Sequence, residues 1–384
     1  MRCAVAAAFL AAGAHAAAVT PLAARATSSS SSGGWETRYT ATGTAAVAAA
    51  AATAKTSSPT SNVKGKAFDR FVIIWNENTD YDKAIGDPNF AWLAKKGITL
   101  SNNFAGISWS SYFEDLPYSG FEGMAWVNQQ NGANDYVRKH SPPLFFDSVA
   151  GSEQRLSQIK NISMVYPERS LFHKDIKANK LPQWIFIAGN LTSDGHDSSV
   201  TVAGTWTRSF LEPLLEDKNF MNNTLVLVTF DENETYTQKN RILGVLLGDA
   251  IPKELIGTTD SNFYNHYSEL ATVEANWDLP TLGRWDVGAN VYKFVADKTN
   301  SVIRQWSNTL AVPDRYFNLS YAGFFNSKTA KQYPKPNLAL DENAAGRKIL
   351  ESIKATWKDS KAPTYYEDTV QVSDGLNPPP GYKA

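Results

Sequence analysis

The stretch FVIIWNENTDYD, residues 71–82, carries both a fold signal and a chemical signal. Residues 71–75 form a continuous run of β-forming apolar side chains, which predicts a strand buried on both faces. The run stops abruptly at Asn76, and Glu77 and Asn78 follow it directly. Since an unpaired carboxylate at the end of a buried strand is costly, these oxygen-bearing side chains need a chemical explanation.

Apolar runs of the same kind recur along the chain and alternate with amphipathic stretches. Further strands are predicted at residues 183–189, 223–233 and 241–248, and helices at residues 87–97, 197–217 and 288–298. Asp87 and Asp197 are the expected N-caps of the first two helices, and Pro213 predicts a kink or break in the second. Strands that are apolar on both faces and separated by helices predict an α/β fold whose central sheet is mostly parallel and covered on both sides.

The composition provides enough apolar residues for a large core and leaves little net charge. Of 384 residues, 43% are hydrophobic, and the formal net charge is −1. A charge this close to zero gives no field that would attract nucleic acid or an anionic membrane. We therefore expect neither a nucleic-acid partner nor stable membrane insertion, and the oligomeric state stays open.

The N-terminal composition predicts export from the cell. Residues 1–18 have a short apolar run and the cleavage-site pattern AHA of a secretory signal peptide. The single cysteine, Cys3, lies in this segment, so the mature chain would have no disulfide. Residues 19–66 are rich in Ala, Ser and Thr and predict a disordered linker or propeptide. The predicted domain spans residues 67–320, residues 321–384 form a C-terminal extension, and the expected location is extracellular or the cell wall.

Two further groups of polar side chains follow predicted strands. Asp231 and Glu232 end the third strand, and the loop SDGHD, which contains His196 and Asp197, follows the second. In an open α/β sheet, ligands bind outside the carboxyl ends of the strands, and clustered carboxylates and amides suit a hard divalent cation. Each group taken alone is explained equally well by turn chemistry and helix caps.

Two histidines are expected to have a chemical role. His196 lies between two aspartates, and His266 lies in the motif FYNHYS. His140 and His173 are interpreted as surface residues because their surroundings are polar and lysine-rich. The alternative for His266 is structural, since the same motif could begin a helix capped by Asn265.

A series of motifs occurs in a characteristic order along the chain. They include ENTDYD (77–82), ANDYVRKHSP (133–142), DGHD (194–197), TLVLVTFDENE (224–234), FYNHYS (263–268) and LGRWDVGAN (282–290). Over residues 67–300, this series resembles the secreted fungal acid phosphatases of the phosphoesterase family, which also includes bacterial phospholipases C. The resemblance implies an alkaline-phosphatase-like α/β/α sandwich, and hydrolysis of phosphate esters by a hydroxyl nucleophile beside a metal ion.

The resemblance also implies roles for individual residues. Four side chains would bind a divalent metal ion of unspecified identity: Glu77, Asn78, Asp231 and Glu232. Three would contact the phosphoryl oxygens or protonate the leaving group: His196, Asp197 and His266. The sequon at Asn233 adjoins this cluster and is not expected to carry a glycan, so the predicted glycosylation sites are Asn161, Asn190, Asn222 and Asn318.

One part of the family pattern is missing. The family carries its nucleophile in a segment of the type THPS-x-PNY, whereas here ITLSNNFA runs directly into GISWSSYFEDLPY at Ala105 and Gly106. A deletion at this junction would leave the sheet incomplete. It is explained either by a skipped exon or gene-model error, or by a family member without the standard activity.

The leading prediction is a secreted acid phosphatase-like enzyme that hydrolyses small-molecule phosphate monoesters, with a role in phosphate scavenging. Its metal ion would polarise the phosphate and activate a hydroxyl group. Two alternatives stay open. The first, favoured by the missing nucleophile segment, is an inactive secreted phosphatase-like protein, and the second is a phospholipase C-type phosphodiesterase.

Overall fold

Strands and helices are interspersed along the chain. The computed structural model describes residues 43–100, 109–235, 240–304, 333–340, 343, 345–364 and 366. Its strands are β1 (Arg70–Asn76), β2 (Ile98–Leu100), β3 (Ser110–Glu114), β4 (Ala125–Val127), β5 (Asn134–Val137), β6 (Ile159–Ile162), β7 (Trp184–Ala188), β8 (Thr224–Phe230), β9 (Gly244–Leu247) and β10 (Thr259–Asp260). Its helices are α1 (Thr44–Thr53), α2 (Tyr81–Gly86), α3 (Pro88–Ala94), α4 (Asp147–Ala150), α5 (Glu153–Leu156), α6 (Leu171–Lys177), α7 (Val200–Leu214), α8 (Lys218–Met221), α9 (His266–Trp277), α10 (Lys293–Thr299) and α11 (Glu351–Trp357).

The central sheet is mostly parallel, as the sequence predicts. Its strand order is β10-β2-β9-β8-β1-β7-β3-β6, and β4 and β5 form a separate antiparallel pair. All pairs from β8 to β6 are parallel, whereas β9 runs antiparallel to β8 and β2. The α/β fold class is therefore confirmed. The Ala105–Gly106 junction lies outside the described residues, so the effect of a deletion there on the sheet stays a prediction.

Strand β1 lies at the centre of the sheet and separates two hydrophobic cores. Phe71, Ile73 and Trp75 face one core, which helices α9 and α10 cover. Val72 and Ile74 face the other core, which helices α3, α6 and α7 cover. The continuous apolar run therefore predicts the strand correctly, because each alternate side chain has a layer of helices to pack against.

The helix caps agree with local sequence signals in two cases out of three. Asp87 caps α3, where its Oδ1 accepts hydrogen bonds from the amides of the second and third helical residues. Asn265 caps α9 with a capping box, as the structural alternative for that motif predicts. The prediction of Asp197 as a cap is wrong, because Ser199 caps α7 instead. Pro213 stands within the last turn of α7, which ends at the next residue.

Part of the predicted linker lies against the domain. Residues 44–53 form helix α1, and the Ser57 amide donates to the Ser157 carbonyl oxygen at 3.0 Å. Gln183 Nε2 donates to the Val63 carbonyl oxygen at 2.7 Å. Residues 43–66 are thus folded onto the domain, contrary to the disordered linker expected there, while residues 1–42 lie outside the described residues.

Part of the predicted C-terminal extension also packs on the domain. Ile349 is buried and forms a parallel β-bridge with Thr281. The Arg284 guanidinium donates to the Tyr366 hydroxyl at 2.7 Å and lies over its ring. Within the described residues, no helix combines the length and apolar character needed to cross a bilayer.

A buried ion pair joins β6 to α6, and the N-terminal segment is attached to it through Ser58. Lys160 of β6 is fully buried, and its ammonium group pairs with Asp175 of α6. The same carboxylate accepts hydrogen bonds from the Tyr112 hydroxyl at 2.7 Å and from Ser58 Oγ at 2.6 Å. Burial lowers the pKa of Lys160, and Asp175 offsets part of that change. The carboxylate of Asp175 is therefore the shared partner of three groups.

Replacing Asp175 tests how far this network stabilises the fold. In Asp175→Asn, we expect the free energy of unfolding to fall by about 3–5 kcal/mol, because Lys160 is left buried without its counter-charge. Ser58→Ala is the milder comparison, with an expected loss of about 1 kcal/mol. Urea unfolding followed by tryptophan fluorescence measures both, and equal losses in the two variants would contradict the assigned role of the ion pair.

Candidate metal centre and active site

The register of the central strands brings three polar loops to one edge of the sheet. Asn76 of β1 pairs with Phe230 of β8, so Glu77 and Asp231 follow from adjacent strand ends. Main-chain hydrogen bonds connect the loops further. The Glu77 amide donates to the Asp194 carbonyl oxygen at 2.8 Å, and the Thr79 amide donates to the Glu232 carbonyl oxygen at 3.3 Å.

Within the described residues, one group of three side chains at this edge could hold a metal ion. Glu77, His140 and His196 each offer one ligand atom, and these atoms all lie within 4.8 Å of one another. His140 Nε2 lies 3.6 Å from Glu77 Oε2 and is buried without a hydrogen-bond partner. An orphaned imidazole nitrogen beside a carboxylate is the arrangement expected of side chains that hold a cation. Two imidazoles and a carboxylate suit borderline divalent ions better than an all-oxygen set would.

His140 is a candidate ligand that the sequence interpretation missed. Its side chain is only 15% exposed, and its Nδ1 lies 3.6 Å from Asp194 Oδ2, so the interpretation as a surface residue is wrong. The flanking residues Arg138 and Lys139 suggested a solvated segment, but the chain turns at this point in a short 3-10 helix. The only sequence signal for His140 is its place inside the motif ANDYVRKHSP, on which the resemblance partly rests.

His196 is oriented by its neighbour in sequence. Its Nδ1 lies 2.6 Å from Asp197 Oδ1, and the other carboxylate oxygen of Asp197 accepts from Asn134 Nδ2 at 2.8 Å. Hydrogen bonds from Asn134 and His196 lower the pKa of Asp197. His196 Nε2 faces Lys139 Nζ at 3.4 Å. Asp197 therefore lies behind the imidazole as an orienting group, an arrangement common to histidine ligands and general acids.

Acidic side chains concentrate at this edge. Burial raises the pKa of Glu77; His140 offsets part of the rise, and Asp194 and Glu232 add to it. Burial also raises the pKa of Asp231 well above its ordinary value, and the charges of Glu77 and Glu232 add to that rise. A cation among these carboxylates would favour their charged forms. Asp231 and Glu232 thus share the electrostatic environment of Glu77, and their roles as ligands stay predictions.

Two other predicted site residues are placed differently. Asn78 is half-buried in the loop after β1, and its role as a ligand stays a prediction. His266 is the first residue of α9, and its Nε2 lies 2.7 Å from the carbonyl oxygen of Asp231. Its ring lies 5.1 Å from that of Trp75, and burial lowers its pKa well below the ordinary value. A neutral His266 can therefore donate a hydrogen bond from Nε2 to the main chain of Asp231. Its contact with phosphate stays a prediction.

The predicted glycosylation sites differ in their exposure. Asn222 is exposed, whereas Asn161 and Asn190 are half-buried and their side-chain amides donate hydrogen bonds within the domain. Asn233 is buried, and Asn318 lies outside the described residues. Occupancy of these sites stays a prediction.

Glu114 supports the loop that leads to Asp194 and His196. It lies at the end of β3, where Oε2 accepts from the Asn190 amide at 3.1 Å and Oε1 accepts from Trp206 Nε1 at 2.9 Å. Burial raises the pKa of Glu114 from 4.5 to about 7. Between these two values the unfolded chain loses the proton while the folded chain keeps it.

The raised pKa of Glu114 makes a stability change with pH measurable. The unfolded state binds fewer protons between pH 4.5 and about 7, so this group lowers the free energy of unfolding by about 3 kcal/mol as the pH rises through that range. Urea unfolding from pH 4 to pH 8 measures the free energy of unfolding of both chains. As the pH rises, this free energy should fall in wild type relative to Glu114→Gln. Glu212→Gln, at an exposed position of α7, is the control, and a Glu114→Gln profile parallel to wild type would disprove the assignment.

Comparison with known proteins finds sequence relatives over most of this chain. The model of the Phosphoesterase family matches residues 96–280. A probable acid phosphatase of Kluyveromyces lactis is 43% identical, over 81% of this chain and 81% of the relative. An acid phosphatase of Aspergillus fumigatus is 41% identical, over 80% and 76%, and a phosphate-repressible acid phosphatase of Penicillium chrysogenum is 40% identical, over 83% and 85%.

Solved structures show a much weaker similarity. An alkaline phosphatase superfamily protein from Vibrio parahaemolyticus matches with 9% identity and a TM-score of 0.32, over 59% of this chain and 73% of that one. The phosphonate monoester hydrolase of Agrobacterium radiobacter matches with 10% identity and a TM-score of 0.36, over 62% and 79%. These scores are low, and the fold class rests on the strand topology. On the strength of its sequence relatives, this chain belongs to the phosphoesterase family, among relatives of the fungal acid phosphatases.

Proposed function

We propose that this chain hydrolyses phosphate monoesters outside the cell by metal-assisted phosphoryl transfer. The observation that carries the proposal is the convergence of Glu77, His140 and His196 at the carboxyl end of the sheet. This is the edge where α/β folds bind ligands. Kinship with acid phosphatases supports phosphate esters as the substrate class.

The residues around the cluster suit a phosphoryl group. A divalent ion held by Glu77, His140 and His196 would supply positive charge for the phosphoryl oxygens. Lys139 adds a positive charge beside His196 Nε2 and would attract the dianion of a monoester. With Asp197 fixing its Nδ1, the His196 ring is oriented to present Nε2 to the metal ion. The hydroxyl nucleophile that the family uses is assigned to no residue of this chain.

Secretion is the second part of the proposal. It is supported by the apolar N-terminal run and cleavage pattern of residues 1–18. An extracellular phosphatase would release phosphate from small esters for uptake, which is the scavenging role proposed for this chain. The predicted glycan sites belong to the same proposal.

A second candidate is an inactive phosphatase-like protein that binds metal or phosphate. The observation in its favour is the absence of a THPS-type segment from the sequence. Such a protein would keep the ligand cluster but lack the group that attacks phosphorus. Metal binding without hydrolysis would distinguish this candidate from the enzyme.

Hydrolysis of p-nitrophenyl phosphate by the purified full chain tests the leading proposal. We expect activity that a chelator abolishes and that Asp231→Ala reduces by at least about 100-fold, because each treatment removes charge stabilisation at the metal site. Glu212→Ala, an exposed carboxylate on α7, should keep full activity. Activity that survives both the chelator and Asp231→Ala would refute a metal-assisted mechanism, and Co²⁺ binding without any turnover would support the inactive protein.

His140 offers a direct test of the metal centre that is independent of turnover. Titration of the metal-free chain with Co²⁺, followed by visible absorption, should show affinity reduced by at least about 100-fold in His140→Ala, because an imidazole ligand is lost. His173→Ala is the matched control, since that ring bonds to Oγ of Ser170, the N-cap of α6. Equal Co²⁺ affinity in His140→Ala and wild type would remove His140 from the ligand set.

A further inference from the structure

Asp80 connects the two loops that carry the candidate metal ligands. It lies three residues after Glu77, but its carboxylate bonds to the loop after β8. Asp80 Oδ1 accepts a hydrogen bond from the Thr235 amide at 2.9 Å, and Oδ2 accepts one from Thr235 Oγ1 at 2.7 Å. Both carboxylate oxygens are therefore bonded to a single residue of the opposite loop.

The capping geometry of Asp80 is independent support for the view that its carboxylate serves the contact with Thr235. Asp80 is the N-cap of α2, a position where an aspartate usually accepts hydrogen bonds from its own helix. Here its side chain makes no capping hydrogen bond. The carboxylate has turned away from the amides nearest to it in sequence and towards Thr235, 155 residues further along the chain.

Burial and charge strengthen the connection. Asp80 is only 6% exposed, so the carboxylate end of these hydrogen bonds is largely shielded from water. Lys83 Nζ lies 3.3 Å from Asp80 Oδ2 and 2.6 Å from Glu234 Oε2, which adds a second bridge between α2 and the opposite loop. The main-chain hydrogen bond from the Thr79 amide to the Glu232 carbonyl oxygen also joins the same two loops.

The connection also involves the side chains of Asn233 and Thr235, the first and last residues of the sequon at residues 233–235. Asn233 Nδ2 donates to the Thr235 carbonyl oxygen at 2.7 Å and lies 3.5 Å from Asp80 Oδ1. The sequon hydroxyl of Thr235 is itself the donor to Asp80. A glycan on Asn233, which is 6% exposed, would require this arrangement to open.

We propose that Asp80 is a positioning residue that fixes residues 231–235 against the loop after β1. By holding Thr235, it sets the place of Asp231 and Glu232 relative to Glu77. Its effect on metal binding rests on the proposed function, whereas the fixing of the loop is a property of the metal-free chain. Asp80 need not contact metal or substrate for either effect.

Hydrogen exchange of the metal-free full chain tests the fixing of the loop. In Asp80→Ala, we expect the amides of residues 231–235 to exchange at least about tenfold faster, because two partly buried hydrogen bonds to Thr235 are lost. Asp82→Ala removes an exposed carboxylate from the same helix and should exchange as wild type does. Thr235→Ser keeps the hydroxyl and should stay protected, whereas Thr235→Val should exchange faster. Thr235→Val also provides the test if Asp80→Ala does not fold.

Co²⁺ titration of the same variants tests the effect on the metal centre. Affinity should fall by about 10–100-fold in Asp80→Ala, the range typical of residues that support metal ligands. It should be kept in Asp82→Ala and Thr235→Ser. With p-nitrophenyl phosphate as substrate, saturating Co²⁺ should restore most of kcat, because the ligands themselves remain.

The outcomes separate this proposal from the proposed function. Unchanged exchange of residues 231–235 in both Asp80→Ala and Thr235→Val would overturn the fixing of the loop. Faster exchange with unchanged Co²⁺ affinity would overturn the effect on the ligands. A wild-type chain that neither binds Co²⁺ nor hydrolyses ester would reject the proposed function, and the exchange data would then still decide the role of Asp80.

Discussion

The candidate site depends on the in-register parallel pairing of β1 between β7 and β8. Trp75 pairs with Ala188 and Asn76 with Phe230, so the three strands reach the same edge of the sheet together. A shift by one residue would turn every following side chain to the opposite face. Glu77 and Asp231 would then no longer follow from paired strand ends. Because β1 is enclosed by a core on each side, its main-chain pairing is shielded from water.

This edge concentrates negative charge at a cost to stability. Burial and like charges raise the pKa of Glu77 and Asp231, so the charged forms of these residues oppose folding. The two apolar cores, one on each face of the sheet, provide the stabilisation that lets such a cluster persist. Carboxylates and imidazoles that cluster in this way, with perturbed pKa values, are typical of sites that bind a cation or transfer protons. The geometry is therefore better explained by chemistry than by stability.

Local signals in the sequence were reliable where a single element decides the outcome. The strand after Asp69 and the caps at Asp87 and Asn265 follow from the type and order of neighbouring residues, and the structure contains all three. The cap predicted at Asp197 is wrong because that carboxylate bonds to His196 and Asn134 instead. A tertiary contact thus displaced the local one, which sequence periodicity alone cannot show.

The sequence by itself determined the α/β class, the mostly parallel sheet and the polar ends of its strands, because hydrophobic periodicity and caps are short-range properties. Its family motifs also identified the chemistry expected at those ends. Only the tertiary structure brought His140 to Glu77 and turned Asp80 towards Thr235. These contacts join residues 63 and 155 positions apart in the chain, and their formation depends on how the sheet brings distant loops to one edge. Hydrophobic periodicity and caps are local patterns, so they do not specify which residues far apart in the chain come into contact.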